Sequence, residues 1–274
     1  MRIAVTVSLV EEARGGPFVY WHDLPHACRR ASELGFDAVE IFPPSPETLE
    51  SAHARQHLAD HGLALAAVGT GAGWVKHRLH LALPEATRRR EARDFIRSII
   101  DAAGAFGAPA IIGSMQGRSG DGVDAATARG YLAEALEELG EHARQYNVPL
   151  LYEPLNRYET NQVTTVADGV ALLEGLSTTN VRLLCDLFHM QIEETDLASA
   201  LRLGGRHVGH IHFVDSNRRP VGFGHMQFGP IITALRDIQY AGYLSAEAFP
   251  YPDSDSAAEQ TILAYRYLTS LAHK

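Results

Sequence analysis

Four side chains that could bind a metal ion interrupt apolar stretches in the second half of the sequence. They are Glu153 in LLYEP, Asp186 in LLCDL, His212 in HIHFV and Glu247 in SAEAF. Three carboxylates that share one apolar site would repel one another unless a cation neutralised them. An oxygen-rich ligand set with one nitrogen suits Mn²⁺, Mg²⁺ or Co²⁺ better than a metal that prefers sulfur. The residue types therefore predict one divalent metal site, provided that the fold brings the four together.

The segments that carry these residues belong to a longer series of short, β-rich runs that alternate with stretches of helical periodicity. Eight runs are predicted as strands, at 3–9, 38–42, 63–70, 108–114, 149–155, 181–188, 207–214 and 243–249. Helices are predicted after them, at 23–34, 48–61, 84–106, 125–146, 166–176, 196–203, 228–238 and 256–272. Strict alternation of this kind implies a parallel sheet with right-handed crossovers.

Eight βα units predict the fold class as α/β, a single (β/α)₈ TIM barrel that takes residues 1–274 as one domain. Chemistry in such a barrel collects at the C-terminal ends of the strands. The four candidate ligands are 33, 26 and 35 residues apart, which is about one βα unit each time. We therefore expect them at one height on four neighbouring strands. The alternative, in which each group pairs separately with an arginine or a backbone N–H, does not account for this shared spacing.

Composition excludes several other classes of protein. The formal charge is −9, from 33 acidic and 24 basic residues, and an acidic surface disfavours nucleic acid as a partner. The two cysteines, Cys28 and Cys185, form no CxxC pair and are expected as buried thiols. The N-terminal apolar run suits a first strand better than a signal peptide, and no window is apolar enough for a membrane span. We therefore expect a cytoplasmic protein without a membrane partner.

Three further polar residues lie near the candidate ligands. His210 shares a strand face with His212 but lies one layer deeper, where a hydrogen-bonded core histidine is expected. His189 follows Asp186 by three residues and is expected on the loop above the metal, in contact with a substrate. Arg118 follows the fourth strand and is interpreted equally well as a contact to a substrate carboxylate or as a solvated loop residue.

The candidate ligands lie within longer motifs. These are EPLNRYE (153–159), DLFHM (186–190), HFVDSNR (212–218), GFGHMQF (222–228) and LSAEAFPYP (244–252), with VGTGAG (68–73) and IIGSMQGR (111–118) earlier in the chain. Through them the sequence resembles the xylose-isomerase-like TIM-barrel superfamily of sugar isomerases and epimerases. The resemblance covers nearly the whole chain and is strongest to the ketose 3-epimerases and keto-acid sugar epimerases.

The resemblance implies an enzyme with one divalent metal ion, Mn²⁺ first and Co²⁺ or Mg²⁺ as alternatives, held by Glu153, Asp186, His212 and Glu247. It further implies that Glu153 and Glu247 are the acid/base pair on opposite sides of a small sugar substrate. His189, Arg218 and Glu159 are implied as substrate contacts. The expected reaction removes the proton next to the carbonyl and passes through an enediolate. Relatives of this kind are often dimers or tetramers, so a homo-oligomer is expected.

Other functions use the same ligand set. Return of the proton to the opposite face gives an epimerase, which we favour, and return at the adjacent carbon gives an aldose–ketose isomerase. A keto-inositol dehydratase would begin with the same proton abstraction. An apurinic-site endonuclease would need three metals and more histidines than the strand ends EIF and VGT offer. A non-catalytic sugar-binding protein would not need two acid/base glutamates.

Overall fold

Eight parallel strands close into a barrel in the computed structural model, which describes residues 1–270. Neighbouring strands pair in parallel throughout, and the first barrel strand pairs with the last to close the ring. An additional two-residue strand pairs with the C-terminal end of the first. The predicted fold class is confirmed. The strands are β1 (Arg2–Ser8), β2 (Tyr20–Trp21, the additional one), β3 (Ala38–Phe42), β4 (Ala64–Gly69), β5 (Ala110–Ile112), β6 (Leu150–Tyr152), β7 (Val181–Asp186), β8 (Val208–His212) and β9 (Tyr243–Ala246).

Helices follow every barrel strand and surround the sheet. Two of them, the fourth and the eighth, are short additions to the predicted set, and the second and third together take the place of one predicted helix. None of the helices in residues 1–270 is long and apolar enough to cross a membrane. They are α1 (Leu24–Leu34), α2 (Glu47–Ser51), α3 (Ala54–Asp60), α4 (Ala72–His77), α5 (Ala86–Gly104), α6 (Ala125–Arg144), α7 (Val166–Glu174), α8 (Leu187–Glu193), α9 (Leu197–Gly204), α10 (Phe228–Asp237) and α11 (Ser254–Ser270).

Local geometry shifts several predicted boundaries. The helix predicted at 48–61 is divided into α2 and α3, because His53 adopts a left-handed conformation (φ 50°) that an α-helix cannot continue. The strand predicted to end at residue 188 stops at Asp186, because the side chain of Asp186 accepts hydrogen bonds from the first backbone N–H groups of α8. The predicted end of the last helix, at 272, lies outside the described residues.

The two faces of the sheet carry different side chains. On β1, Ile3, Val5 and Val7 point outward and are buried against the helices. The residues between them point into the barrel, where Ala4 packs with Ala38, Ala66 and Tyr243. Above that alanine layer the interior is polar: Glu40, His210 and Ser245 are among the fully or almost fully buried residues. The interior of this barrel is therefore suited to hold charge towards its C-terminal end.

Helix α6 provides a matched test of its packing against the sheet. A Cβ atom added at the buried Gly140 would lie 2.8 Å from Val181 Cγ2, whereas one added at the exposed Gly130 meets nothing within 4 Å. We expect Gly140→Ala to lower the free energy of unfolding by about 1–3 kcal/mol through overpacking. Gly130→Ala should raise it by about 0.5–1 kcal/mol, since alanine favours the helix. Urea unfolding of both variants measures the difference; equal stabilities would contradict the described packing.

Candidate active site

The C-terminal ends of four consecutive strands bring the four predicted ligands together. Asp186 is the last residue of β7 and His212 the last of β8, and the two are direct partners across the sheet. Glu153 and Glu247 each follow the last residue of their strands, β6 and β9. In the structure the four residues therefore lie at one height on neighbouring strands, as predicted.

His212 Nδ1 is the point on which the carboxylates converge. It lies 3.3 Å from Asp186 Oδ2 and 3.5 Å from both Glu153 Oε1 and Glu247 Oε2. Ligand atoms of Glu153, Asp186 and His212 all lie within 4.8 Å of one another. All four residues are buried. Three carboxylates and one imidazole nitrogen facing a common point suit a hard or borderline divalent cation, so the residues present fit the implied metal.

The two glutamates differ from the other two predicted ligands in their access to solvent. Glu153 and Glu247 are each 6% exposed and line a cavity of about 290 Å³ at the mouth of the barrel. Asp186 and His212 are each 1% exposed and do not line it. The glutamates can therefore reach a bound molecule as well as a metal, whereas Asp186 and His212 can serve the metal alone.

The charges of the cluster favour a cation at its centre. Burial lowers the pKa of His212, but the carboxylates of Glu247 and Glu40 and the bonds to Asp186 and Glu153 outweigh it and hold that pKa well above its usual value. Burial also raises the pKa of Glu247 to about 8. A metal ion at Nδ1 would replace the proton that the carboxylates attract there and would relieve their mutual repulsion.

A second carboxylate, Glu40 on β3, holds His212 from behind. His212 Nε2 donates to Glu40 Oε1 over 3.0 Å, which leaves the lone pair of Nδ1 free for a metal. His210 donates to the other oxygen of Glu40 over 2.7 Å, so its predicted role as a hydrogen-bonded core histidine is confirmed. Burial raises the pKa of Glu40, but the two imidazoles lower it well below its usual range. Sequence reasoning missed Glu40, although a glutamate inside the apolar run AVEIF needs a buried partner.

His189 lies on helix α8, not on the predicted loop, and is buried beside the cluster with a defined tautomer. Its Nδ1 accepts hydrogen bonds from Asn156, at 2.7 Å from the side-chain amide and 3.4 Å from the backbone N–H. Because Tyr158 N donates to Asn156 Oδ1, the other end of this amide is its NH₂ group, which can only donate to His189. Its 2.7 Å bond to Nδ1 is much shorter than the 3.5 Å between Nε2 and Arg218 Nη2, so the ring proton lies on Nε2. That nitrogen is 3.8 Å from Glu153 Oε1 and 3.7 Å from Asp186 Oδ2. His189 therefore presents a donor at the cavity wall. The sequence indicated His189 but not Asn156.

Arg218 closes the other side of the cavity. Its Nη2 donates to Glu247 Oε2 over 2.8 Å, its Nη1 lies 3.5 Å from Glu159 Oε1, and its guanidinium lies over the ring of Phe188 at 4.8 Å. Glu159 also accepts from the Asn156 amide at 3.3 Å and is partly exposed. Both residues line the cavity, as does His189. The alternative in which each candidate ligand pairs separately with an arginine or a backbone N–H thus applies in part to Glu247. Its carboxylate contacts both Arg218 and His212.

The backbone around Glu153 is shaped for a close approach. A Cβ atom at Gly113 would lie 2.4 Å from Glu153 Oε2, so only glycine leaves room for the carboxylate. The buried Gln116 donates to the carbonyls of Glu153 and Gly113, over 2.9 and 3.1 Å, and accepts from the hydroxyl of Tyr152. The loop after β5 therefore fixes the position of Glu153, a predicted metal ligand directly after β6.

The rest of the cavity wall comes from the first strands and their loops and is largely apolar. The hydroxyl of Ser8 is among the few polar groups on this side. Apolar lining residues here include Val10, Phe18, Phe42, Val75 and Ile111. The cavity thus has a polar end at the carboxylate–histidine cluster and an apolar end opposite it, as small-molecule sites commonly do.

The fold and the site together define the class of this protein. It is a parallel (β/α)₈ barrel with a buried carboxylate–histidine cluster at its strand ends. The sequence profile of the family described as xylose isomerase-like TIM barrel matches residues 28–268, and the chain belongs to this family. The resemblance in the sequence motifs is thereby confirmed.

Individual relatives narrow the comparison further. D-psicose 3-epimerase of Agrobacterium fabrum is 30% identical over 251 residues, which are 86% of this chain and 80% of that protein. L-ribulose 3-epimerase of a Methylomonas species is 27% identical over 241 residues, 87% and 82% of the two chains. The crystal structure of D-psicose 3-epimerase from Clostridium cellulolyticum with D-tagatose superposes over 100% of both chains with a TM-score of 0.82. Its 20% identity shows the shared fold alone. The prediction of an enzyme of the sugar epimerase class is confirmed.

Removing the charge of Glu40 tests its hold on His212. We expect Glu40→Gln to weaken Mn²⁺ binding by roughly 10- to 100-fold, because partners behind a metal-binding histidine commonly have effects of this size. Isothermal titration calorimetry of the metal-free protein measures the dissociation constant, and circular dichroism verifies that the variant is folded. Glu50→Gln, on the exposed surface of α2, is the matched control. An unchanged constant in Glu40→Gln would remove Glu40 from the metal site.

Proposed function

We propose that this protein is a divalent-metal-dependent ketose epimerase that inverts the carbon next to the carbonyl. The observation that carries the proposal is the convergence of Glu153, Asp186 and Glu247 on His212 Nδ1 at the polar end of a cavity. The relatives named as ketose 3-epimerases support the choice of reaction and the 3-position. The four residues are the proposed metal ligands, with Mn²⁺ first and Co²⁺ or Mg²⁺ as alternatives.

In the proposed reaction Glu153 and Glu247 are the acid and the base. Both carboxylates line the cavity, so one can take the proton from the carbon next to the carbonyl while the other returns a proton to the opposite face. Loss of the proton gives an enediolate intermediate, and its protonation on the opposite face gives the epimer as the product. When bound, the metal supplies a Lewis acid that stabilises the negative charge on the sugar oxygens.

His189, Arg218 and Glu159 are the proposed substrate contacts. The N–H group at His189 Nε2 can donate a hydrogen bond to a sugar oxygen. The guanidinium of Arg218 can donate a hydrogen bond to a sugar oxygen from the other wall. Glu159 holds the position of Arg218 and can accept from a sugar hydroxyl. These three side chains orient the substrate relative to the two glutamates and stabilise charge on its oxygens as the proton leaves.

The alternative functions receive less support. The two candidate ligand clusters within residues 1–270 share His212, which does not suit an endonuclease with three metals. Neither the isomerase nor the dehydratase has a relative among those compared above. We also propose that the chain forms one barrel domain, because β1 and β9, near its two ends, pair directly. The cytoplasmic location and the homo-oligomeric state stay predictions.

The decisive experiment is proton NMR in D₂O. The Mn²⁺- or Co²⁺-reconstituted enzyme is first assayed with a panel of ketoses, including D-fructose, D-psicose and L-ribulose. The spectra that follow the replacement of hydrogen by deuterium are recorded with the Mg²⁺-loaded enzyme, because Mg²⁺ does not broaden the signals as Mn²⁺ and Co²⁺ do. We expect deuterium next to the carbonyl together with a new epimer. An aldose product would make the enzyme an isomerase, and no exchange from metal-loaded protein would overturn the proposal.

The acid/base pair is tested by two isosteric variants. Glu153→Gln and Glu247→Gln should each lower kcat by at least roughly 10²–10⁴-fold, because each loses a proton-transfer group and weakens the metal site. Initial rates at saturating metal measure the loss, and Glu50→Gln again serves as the surface control. Turnover near that of the unaltered enzyme in either variant would exclude that glutamate from proton transfer.

Arg218 is tested by a change that keeps its charge. Arg218 has a positive φ of 59°, which lysine would share, so Arg218→Lys removes the forked contact to Glu247 and Glu159 without altering the backbone requirement. We expect kcat/KM to fall roughly 10-fold or more while the melting temperature stays within a few degrees. Arg219→Lys is the control at the neighbouring position. The guanidinium carbon of Arg219 lies 3.8 Å from the centre of the Tyr251 ring. An unchanged kcat/KM in Arg218→Lys would exclude a forked contact from the reaction.

A further inference from the structure

A second cavity of about 290 Å³ adjoins the active-site cavity on the same face of the barrel. Ser114, Leu155 and Glu159 line both cavities, so the two are neighbours across these side chains. The second cavity holds none of the proposed metal ligands. Its remaining wall comes from the segments that follow β4, β5 and β6, which is where a barrel places residues that contact a substrate.

The wall of this second cavity combines aromatic faces with hydrogen-bond donors. Trp74 is 36% exposed and Tyr158 is 76% exposed, although large aromatic side chains are usually covered. His80 Nδ1 accepts from the backbone N–H of Ala82 at 3.2 Å, so the ring proton lies on Nε2 and is available to a ligand. Arg118 has no hydrogen bond or ion pair with the residues that the structure describes. Aromatic faces beside unused donors suit a ring that has both C–H faces and hydroxyl groups.

The Trp74 side of the cavity and the segments behind its wall are preformed. The indole of Trp74 is held edge-to-face by His80, with ring centroids 5.6 Å apart, and Arg78 lies over its ring at 5.2 Å. The segments that form the wall are tied together: Thr160 Oγ1 donates to the carbonyl of Gly117 over 2.8 Å, and Leu81 N donates to that of Met115 over 2.8 Å. A site whose walls are already fixed loses little entropy when it binds a ligand.

We propose that this cavity is a subsite for a second sugar ring attached to the reacting sugar. The proposal rests on the proposed epimerase function and deepens it: the preferred substrate is a ketose that carries a second sugar as an O-glycoside, with the ketose part in the first cavity. Each of the two cavities has a volume of about 290 Å³. Trp74 and Tyr158 stack on the second ring, while His80 Nε2, Arg118 and the hydroxyl of Ser114 bond its oxygens.

Two substrates that differ only in the second ring test the subsite. These are 4-O-methyl-D-fructose and 4-O-β-D-glucopyranosyl-D-fructose, and the readout is enzyme-dependent deuterium exchange at C3, above a control without enzyme. We expect kcat/KM to be at least tenfold higher for the glucosyl-fructose, with Trp74→Phe and Tyr158→Ser each removing roughly threefold to tenfold of that preference. The rate with the methyl ether should not change. Tyr267→Ser, at a tyrosine that is 64% exposed on α11, is the matched control.

A binding measurement separates failure of the subsite from failure of the reaction. The chain has two tryptophans, so Trp21→Phe leaves Trp74 as the sole indole reporter. Addition of cellobiose should change its fluorescence at concentrations at which glucose does not, and Tyr158→Ser should weaken that effect. Exchange or epimerisation of single-ring sugars without preference for a second ring, together with no response to cellobiose, would overturn the subsite and leave the epimerase standing. A preference for acidic substituents that Arg118→Gln abolishes and Trp74→Phe does not would also overturn it.

Discussion

Three buried carboxylates that face one imidazole are the constraint on which the rest of the site depends. Their repulsion inside a barrel is costly, and the fold offsets it with positive charge from two sides. Arg218 lies against Glu247, and the centre of the cluster at His212 Nδ1 attracts a proton or a metal ion. A divalent cation would satisfy all the carboxylates at once, which no single protein side chain can do.

That constraint reaches into the barrel interior. His212 can offer Nδ1 to a metal only if its other nitrogen is held, and Glu40 holds it from the opposite side of the barrel. Glu40 is itself ionised in a fully buried position, and His210 shares its charge. The polar layer of the interior is therefore part of the same electrostatic arrangement as the mouth, and the alanine layer beneath it fills the remaining space.

The division between polar and apolar walls orients a molecule that binds in the site. A molecule in the first cavity meets charged groups at one end and aromatic or aliphatic side chains at the other. Glu153 and Glu247 are the members of the cluster that such a molecule can reach, and this supports separate roles for proton transfer and for metal binding alone. The second cavity continues the pattern outward, with aromatic faces exposed where the barrel opens.

The sequence by itself determined the eight βα units and the height of Glu153, Asp186, His212 and Glu247, because period-2 and helical patterns are local and a barrel repeats them at fixed spacing. Its motifs also indicated His189, whose contacts the structure then specified. Other features depend on residues far apart in the chain. Only the tertiary structure decided that Glu40 lies behind His212, since 172 residues separate them and no local pattern pairs them. The same holds for the second cavity, which exists because three loops meet when the ring of strands closes.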